Sequence, residues 1–136
     1  MALAYIDSCV VIYALEDDPR FGKAARAALA ELRQQGLQPV ISALVRLECL
    51  VQPLALGHSE RLHRYHGFLQ LFESVRIQDS TFELATELRA QHRLRTPDAL
   101  HLATALGHNC QALVTNDGRL KKASGSLEIR ALAPSD

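Results

Sequence analysis

The sequence predicts an α/β fold built on a parallel central sheet, and three observations support this. Short apolar or β-branched runs alternate with amphipathic stretches of helical length. The stretches between those runs are long enough for the crossovers that parallel neighbours need. No Gly/Ser linker, low-complexity tract or repeat divides the 136 residues, so 1–136 read as a single domain.

In chain order, Leu3 to Ile6 reads as a first strand, followed by an apolar segment from Cys9 to Leu15. Lys23 to Gln35 is rich in Ala and Leu with Arg and Glu interspersed, a helix that Gly36 should stop. Pro39 to Ser42 reads as the second strand. Ala43 to Val51 carries apolar residues at helical spacing and should end before Pro53. His58 to Phe72 is amphipathic, and Ser74 to Ile77 reads as a third strand. Ser80 and Glu83 match a capping box, opening a helix to about Leu94. Thr96-Pro97-Asp98 is a second helix start, with Thr as cap, and that helix should end near Gly107 to Asn109. Ala112 to Thr115 is the fourth strand, Asn116-Asp117-Gly118 a turn, and Leu127 to Leu132 the fifth strand. A sheet of four to five parallel strands joined this way carries helices on both faces.

Composition excludes several classes. The longest apolar run, Cys9 to Leu15, falls far short of the ~20 residues that span a bilayer. No basic region precedes the first apolar stretch and Asp7 interrupts it, which argues against a signal peptide. Cys9, Cys49 and Cys110 are an odd count without C-x-x-C spacing, which argues against a disulfide framework or structural zinc and for a reducing cytoplasm. Fifteen basic residues balance fifteen acidic ones. Any affinity for nucleic acid must therefore come from a local patch or from a cation that offsets acids.

Four acids occupy positions where such a fold collects chemistry. Asp7 closes the first strand and Asp117 follows the fourth, at the carboxyl ends that line the crevice of a parallel sheet. Asp98 lies in the first turn of a helix. Glu48 sits inside an apolar helix with no base at helical spacing to pair with it. Singly, each has an ordinary reading: Asp7 as a helix cap, Asp98 as dipole compensation, Asp117 as turn chemistry, Glu48 as an acid met by solvent or Arg46. Together they carry a different weight. If they converged within about 5 Å, each pair would repel by about 3 kcal/mol at an effective dielectric near 20. Summed over the set, that exceeds the roughly 5–15 kcal/mol that holds a domain folded. A hard cation with a preference for oxygen relieves such repulsion most directly and suits phosphoryl chemistry.

The motifs resemble those of the PIN-domain family, and specifically its VapC-type toxins. Tyr5-Ile6-Asp7-Ser8 before an apolar run resembles the family's first motif. Ser42-Ala43-Leu44 leading to Leu47-Glu48 resembles the second. Thr96-Pro97-Asp98-Ala99-Leu100-His101-Leu102-Ala103-Thr104-Ala105 is the closest match, and Leu113-Val114-Thr115-Asn116-Asp117 resembles the fourth. The motifs stand in the family's order from residue 5 to residue 117. The resemblance implies a three-layer α/β/α sandwich and a metal-dependent endoribonuclease. Asp7, Glu48, Asp98 and Asp117 would hold Mg²⁺ or Mn²⁺, supported by Thr115 and Ser8. It further implies a homodimer and a VapB-like antitoxin partner. Cys9 is a departure, standing where Asn or Ser is common in the family.

Of the remaining residues, Arg46, Arg95, Arg119, Lys121 and Lys122 flank the motifs and are the candidates for gripping RNA phosphates. His101 lies three residues after Asp98 and is read as packing, because Mg²⁺ prefers oxygen. His63 and His66 are read as surface or dimer contact, and the cysteines as buried thiols, with Cys9 and Cys49 near one another. A haloacid-dehalogenase-type phosphatase would need a second Asp where Cys9 stands. A receiver domain does not call for Glu48, and a dinucleotide binder would want glycines between Asp7 and Leu15. Two readings within the fold stay open: a PIN-like module that binds without cutting, and a nuclease of RNA maturation.

Overall fold

In the computed structural model, which describes residues 1–135, five strands form one sheet in the order β3-β2-β1-β4-β5, all parallel. The strands are β1 (Leu3–Ile6), β2 (Gln38–Ile41), β3 (Glu73–Ser74), β4 (Ala112–Thr115) and β5 (Glu128–Ala131). Six α-helices flank them in a three-layer sandwich: α1 (Ser8–Glu16), α2 (Gly22–Gln34), α3 (Ala43–Ala55), α4 (Ser59–Leu69), α5 (Asp79–His92) and α6 (Thr96–Gly107). A 3-10 helix, Gly118–Ala123, follows β4 where the sequence suggested only a turn.

The central strands β1 and β4 explain why the core sits where it does. Ala4, Tyr5, Ile6, Ala112, Leu113 and Val114 are all fully buried, as expected of strands covered on both faces. α6 is buried on every side from Ala99 to Ala105, so that apolar run has no solvent face to vary. From β1 the chain turns first to β2 on one side and only later to β4 on the other. The order therefore reverses between β1 and β4, which makes their carboxyl ends the switch point where such sheets form a crevice.

Several boundaries differ from expectation. α3 runs through Pro53 to Ala55, because the proline falls in the last turn, where its missing N–H removes a single bond. Leu56 N–H and His58 N–H then close on the carbonyls of Gln52 and Pro53. α5 starts at Asp79: Gln78, not Ser80, occupies the cap position, and its N–H donates to Thr81 Oγ1 at 3.1 Å. α5 ends at His92 because Arg93 takes a left-handed conformation with φ 57°. Thr96 is already helical, with Arg95 as the cap residue. β3 shrinks to two residues at the sheet edge, where it pairs only with Val40 and Ile41. Among the described residues, no helix is long and apolar enough to cross a membrane.

Candidate active site

The site starts from strand register. β1 and β4 pair with Ile6 opposite Val114, so Asp7 and Thr115, one step further, meet at the carboxyl ends of neighbouring strands. Asp7 N–H donates to the Val114 carbonyl at 3.0 Å, which fixes its backbone. Although Asp7 is the cap residue of α1, its side chain caps nothing. The carboxylate turns instead to the Thr115 hydroxyl, which donates to Oδ2 at 2.7 Å. That same hydroxyl accepts from Asp117 N–H at 3.2 Å, tying the two acid-bearing segments together.

Glu48 comes from α3, and its predicted need for a partner is met, though not by Arg46. His101 Nε2 lies 2.5 Å from Glu48 Oε1, and the Ser8 hydroxyl donates to the same oxygen at 3.0 Å. Ser8 Oγ is also 3.4 Å from Asp7 Oδ1, so it lies between the two carboxylates. His101 Nε2 approaches Asp7 Oδ1 at 3.6 Å. One ligand atom each from Asp7, Glu48 and His101 lies within 4.8 Å of the other two. Burial pushes the Glu48 carboxyl up, but the His101 contact, the Ser8 hydrogen bond and the nearby charge of Arg95 win, and its pKa lies below the ordinary value. The acid is therefore ionised at neutral pH and ready to meet a cation.

The other two predicted acids stand differently. Arg95 Nε donates to Asp98 Oδ2 at 3.0 Å. Arg119 grips Asp117 with both arms of its guanidinium, Nε to Oδ1 and Nη2 to Oδ2, each at 2.9 Å. Asp117 also caps the 3-10 helix by accepting from Arg119 N–H at 3.0 Å. Its ordinary reading as a turn former thus holds alongside any other role. Those bonds and the arginine's charge keep the Asp117 carboxyl below its usual pKa.

Asp98 and Asp117 line a cavity of about 470 Å³ whose wall also carries His92, Arg93, Arg95, Arg119 and Lys122. Of the basic residues singled out in the sequence, Arg95, Arg119 and Lys122 reach this cavity, whereas Arg46 and Lys121 are not among its lining. His92 and Arg93 were missed because they close α5, a helix without a motif. His101 was read as packing; it is 98% buried, but it also bonds Glu48. The signal that would have found it is chemical: an unpaired Glu in an apolar helix needs a donor, and His101 is the one titratable side chain inside the apolar part of α6. His63 and His66 are exposed on α4. The cysteines are free, and Cys49 Sγ lies 3.9 Å from the Ser8 carbonyl. Burial, followed by the charge of nearby acids, pushes the Cys9 and Cys49 thiols up to about 12.

A parallel α/β sandwich with an acidic centre at the switch of its strand order defines a class, and comparison with known proteins places the chain within it. The PIN domain family matches residues 4–126, and the chain belongs to that family. It is 33% identical to Ribonuclease VapC46 of Mycobacterium tuberculosis, over 99% of this chain and all of that protein. The fold is shared with a DNA-bound VapBC from Salmonella typhimurium (TM-score 0.76, 16% identity, covering 96% of this chain and 98% of that one). It is shared also with a toxin–antitoxin complex from Klebsiella pneumoniae (TM-score 0.71, 24% identity, covering 93% of this chain and 94% of that one).

Proposed function

We propose that the protein is a metal-dependent endoribonuclease acting in the cytoplasm as the toxin of a VapBC-type toxin–antitoxin pair, with residues 1–136 as a single catalytic domain. The observation that carries the reading is the pair Asp7 and Glu48. Two carboxylates from distant elements present ligand atoms within 4.8 Å at the sheet's switch point, where a cation would offset their mutual repulsion. The donor set fits a hard cation: carboxylate oxygens, already oriented by Ser8 and Thr115 hydroxyls. Asp7, Glu48, Asp98 and Asp117 would hold Mg²⁺ or Mn²⁺, which supplies activation of water and charge stabilisation at a phosphodiester.

The chain's own groups do the rest. Thr115 holds Asp7, and Ser8 lies between Asp7 and Glu48, so both acids keep one orientation. Arg95 and Arg119 release Asp98 and Asp117 on loading and turn to RNA phosphates. Their side chains are 77% and 80% exposed, so nothing packed obstructs that rotation. With Lys122 and Arg93 they give the cavity a basic wall, a local patch on a chain of zero net charge. Arg46 and Lys121 lie outside that cavity and would touch RNA only further along the strand.

A VapB-like antitoxin and a second copy of this chain are the expected protein partners. Support comes from the structural relatives, which are toxin–antitoxin assemblies, and from exposed Leu47, Val51 and Leu54 at helical spacing on α3.

The test is cleavage of a structured RNA pool by purified protein in Mn²⁺ or Mg²⁺, beside EDTA and the Asp7→Asn variant. Metal-dependent cutting that the variant lacks is the expected result. Binding of RNA without cutting, by protein shown to be folded and free of antitoxin, would replace the nuclease with a binding module.

A further inference from the structure

Behind Glu48 runs a buried chain of hydrogen bonds. Ser42 Oγ lies 2.7 Å from the Tyr5 hydroxyl, and that hydroxyl lies 2.7 Å from His101 Nδ1. His101 Nε2 then meets Glu48 Oε1 at 2.5 Å. Tyr5 and Ser42 are fully buried and His101 is 2% exposed, so no water is at hand to replace a missing bond. Tyr5 stands two residues before Asp7 on β1 and shares its sheet face, while Ser42 follows β2. The chain therefore lies directly beneath the acids.

The protons can be counted. Ser42 and Tyr5 carry one each, and a neutral imidazole carries one on either nitrogen. With the imidazole proton on Nδ1, Nε2 would point its lone pair at the Glu48 carboxylate, acceptor against acceptor. With the proton on Nε2, every link is satisfied in one direction: Ser42 donates to Tyr5, Tyr5 to Nδ1, and Nε2 to Glu48. A nitrogen that carries this proton has no lone pair for a cation, even though it lies within ligand reach of the two acids.

We propose that His101 is a positioning residue rather than a metal ligand. Its tautomer is set by the Glu48 carboxylate, with Tyr5 and Ser42 completing the chain behind it, and it pins Glu48 Oε1 so that Oε2 is the oxygen presented to the cation. The inference rests on the reading of Asp7 and Glu48 as metal ligands and adds to it the element that orders one of them. No described hydrogen bond occupies Oε2; both donors to Glu48, Ser8 and His101, fall on Oε1. Outer partners of this kind typically change metal affinity by about 10–100-fold when removed.

The test is Mn²⁺ binding, read by calorimetry or by the paramagnetic signal of free Mn²⁺, on the full chain without RNA. His101→Leu should weaken binding about 10–100-fold. His101→Gln, which keeps an amide N–H near the Nε2 position, should recover most of that loss. Tyr5→Phe deletes one oxygen, leaves the buried Nδ1 without its donor, loosens the seat of the ring and should weaken binding in the same direction. If His101→Leu does not fold, Tyr5→Phe with His101→Gln carries the same test. Loss in His101→Gln as deep as in His101→Leu, with Tyr5→Phe like the wild type, would make His101 a ligand and overturn the proposal. Wild-type affinity in His101→Leu would reduce the residue to packing and overturn it equally. Those results leave the metal reading intact, whereas a wild-type chain that binds no Mn²⁺ contradicts both.

Discussion

The two halves of the site are built on opposite principles. Asp7 and Glu48 are held by uncharged or buried donors: the Thr115 hydroxyl for the first, the Ser8 hydroxyl and His101 for the second. Asp98 and Asp117 stand on the cavity wall, and each is paired with an arginine that is more than three-quarters exposed. The inner half is preorganised, because buried partners leave its bonded oxygens little freedom. The outer half is adjustable, because exposed ion pairs are weak and exchange readily with solvent or a phosphate. Chemistry needs the first property and substrate exchange needs the second. On the proposed function, the two tasks are divided by the burial of the acids' partners: His101 is 2% exposed, Arg95 77% and Arg119 80%.

Substitution can break this contrast. The largest effect is expected for Asp7→Asn, which keeps the shape and removes the central charge. Cleavage should fall roughly a thousandfold or more, the worth of several kcal/mol of charge stabilisation, in a single-turnover assay. Next comes Thr115→Val, nearly the same shape without the hydroxyl. Asp7 Oδ2 and Asp117 N–H both lose a partner, so activity should drop about 10–100-fold. The midpoint of thermal unfolding should fall as well, since a buried acceptor is left bare. In the outer half, Arg119→Ala should leave the unfolding midpoint nearly unchanged. RNA binding should weaken several-fold, with a salt dependence shallower by about one counterion. An Arg119→Ala that abolishes cleavage at saturating RNA would erase the distinction between the halves.

The smallest effect sharpens the picture of the interior. A thiol alkylates as its thiolate, and Cys9 and Cys49, pushed up to about 12 from 9.0, stay protonated at pH 8. The sign is therefore toward protection. In the folded protein these two thiols should react with iodoacetamide two to three orders of magnitude more slowly than free cysteine, and at the ordinary rate once unfolded. Mass spectrometry of the alkylated peptides reads this directly. Rapid labelling of Cys49 in the folded state would show that the Ser8 end of α1 opens.

How much of this was legible in the chain differs between fold and site. β1 and β4 were read to the residue, because strands covered on both faces leave an unbroken apolar run between turn signals. Helix ends were read less well: Pro53, Gln78 and Arg93 are settled by which carbonyl or hydroxyl lies in reach, and this is local geometry rather than pattern. The four acids stood out by position and motif, and Glu48 in particular by having no partner. Their division into two pairs did not show, because the arginines three and two residues away read as grips for RNA phosphates rather than as partners of the acids. The chain from Ser42 through Tyr5 to His101 did not show either. Tyr5 and His101 are 96 residues apart, and only the sheet register and the seat of α6 bring them together. A tyrosine in an apolar strand and a histidine in an apolar helix each need a buried partner, and that shared need was the available hint.

The most direct test of this division is Mn²⁺ titration of four single variants by calorimetry, with folding checked for each. Asp7→Asn and Glu48→Gln should abolish binding in the range where the wild type saturates, while Asp98→Asn and Asp117→Asn should bind with reduced affinity. Full binding by Asp7→Asn together with loss in Asp117→Asn would place the cation on the cavity wall and contradict the account.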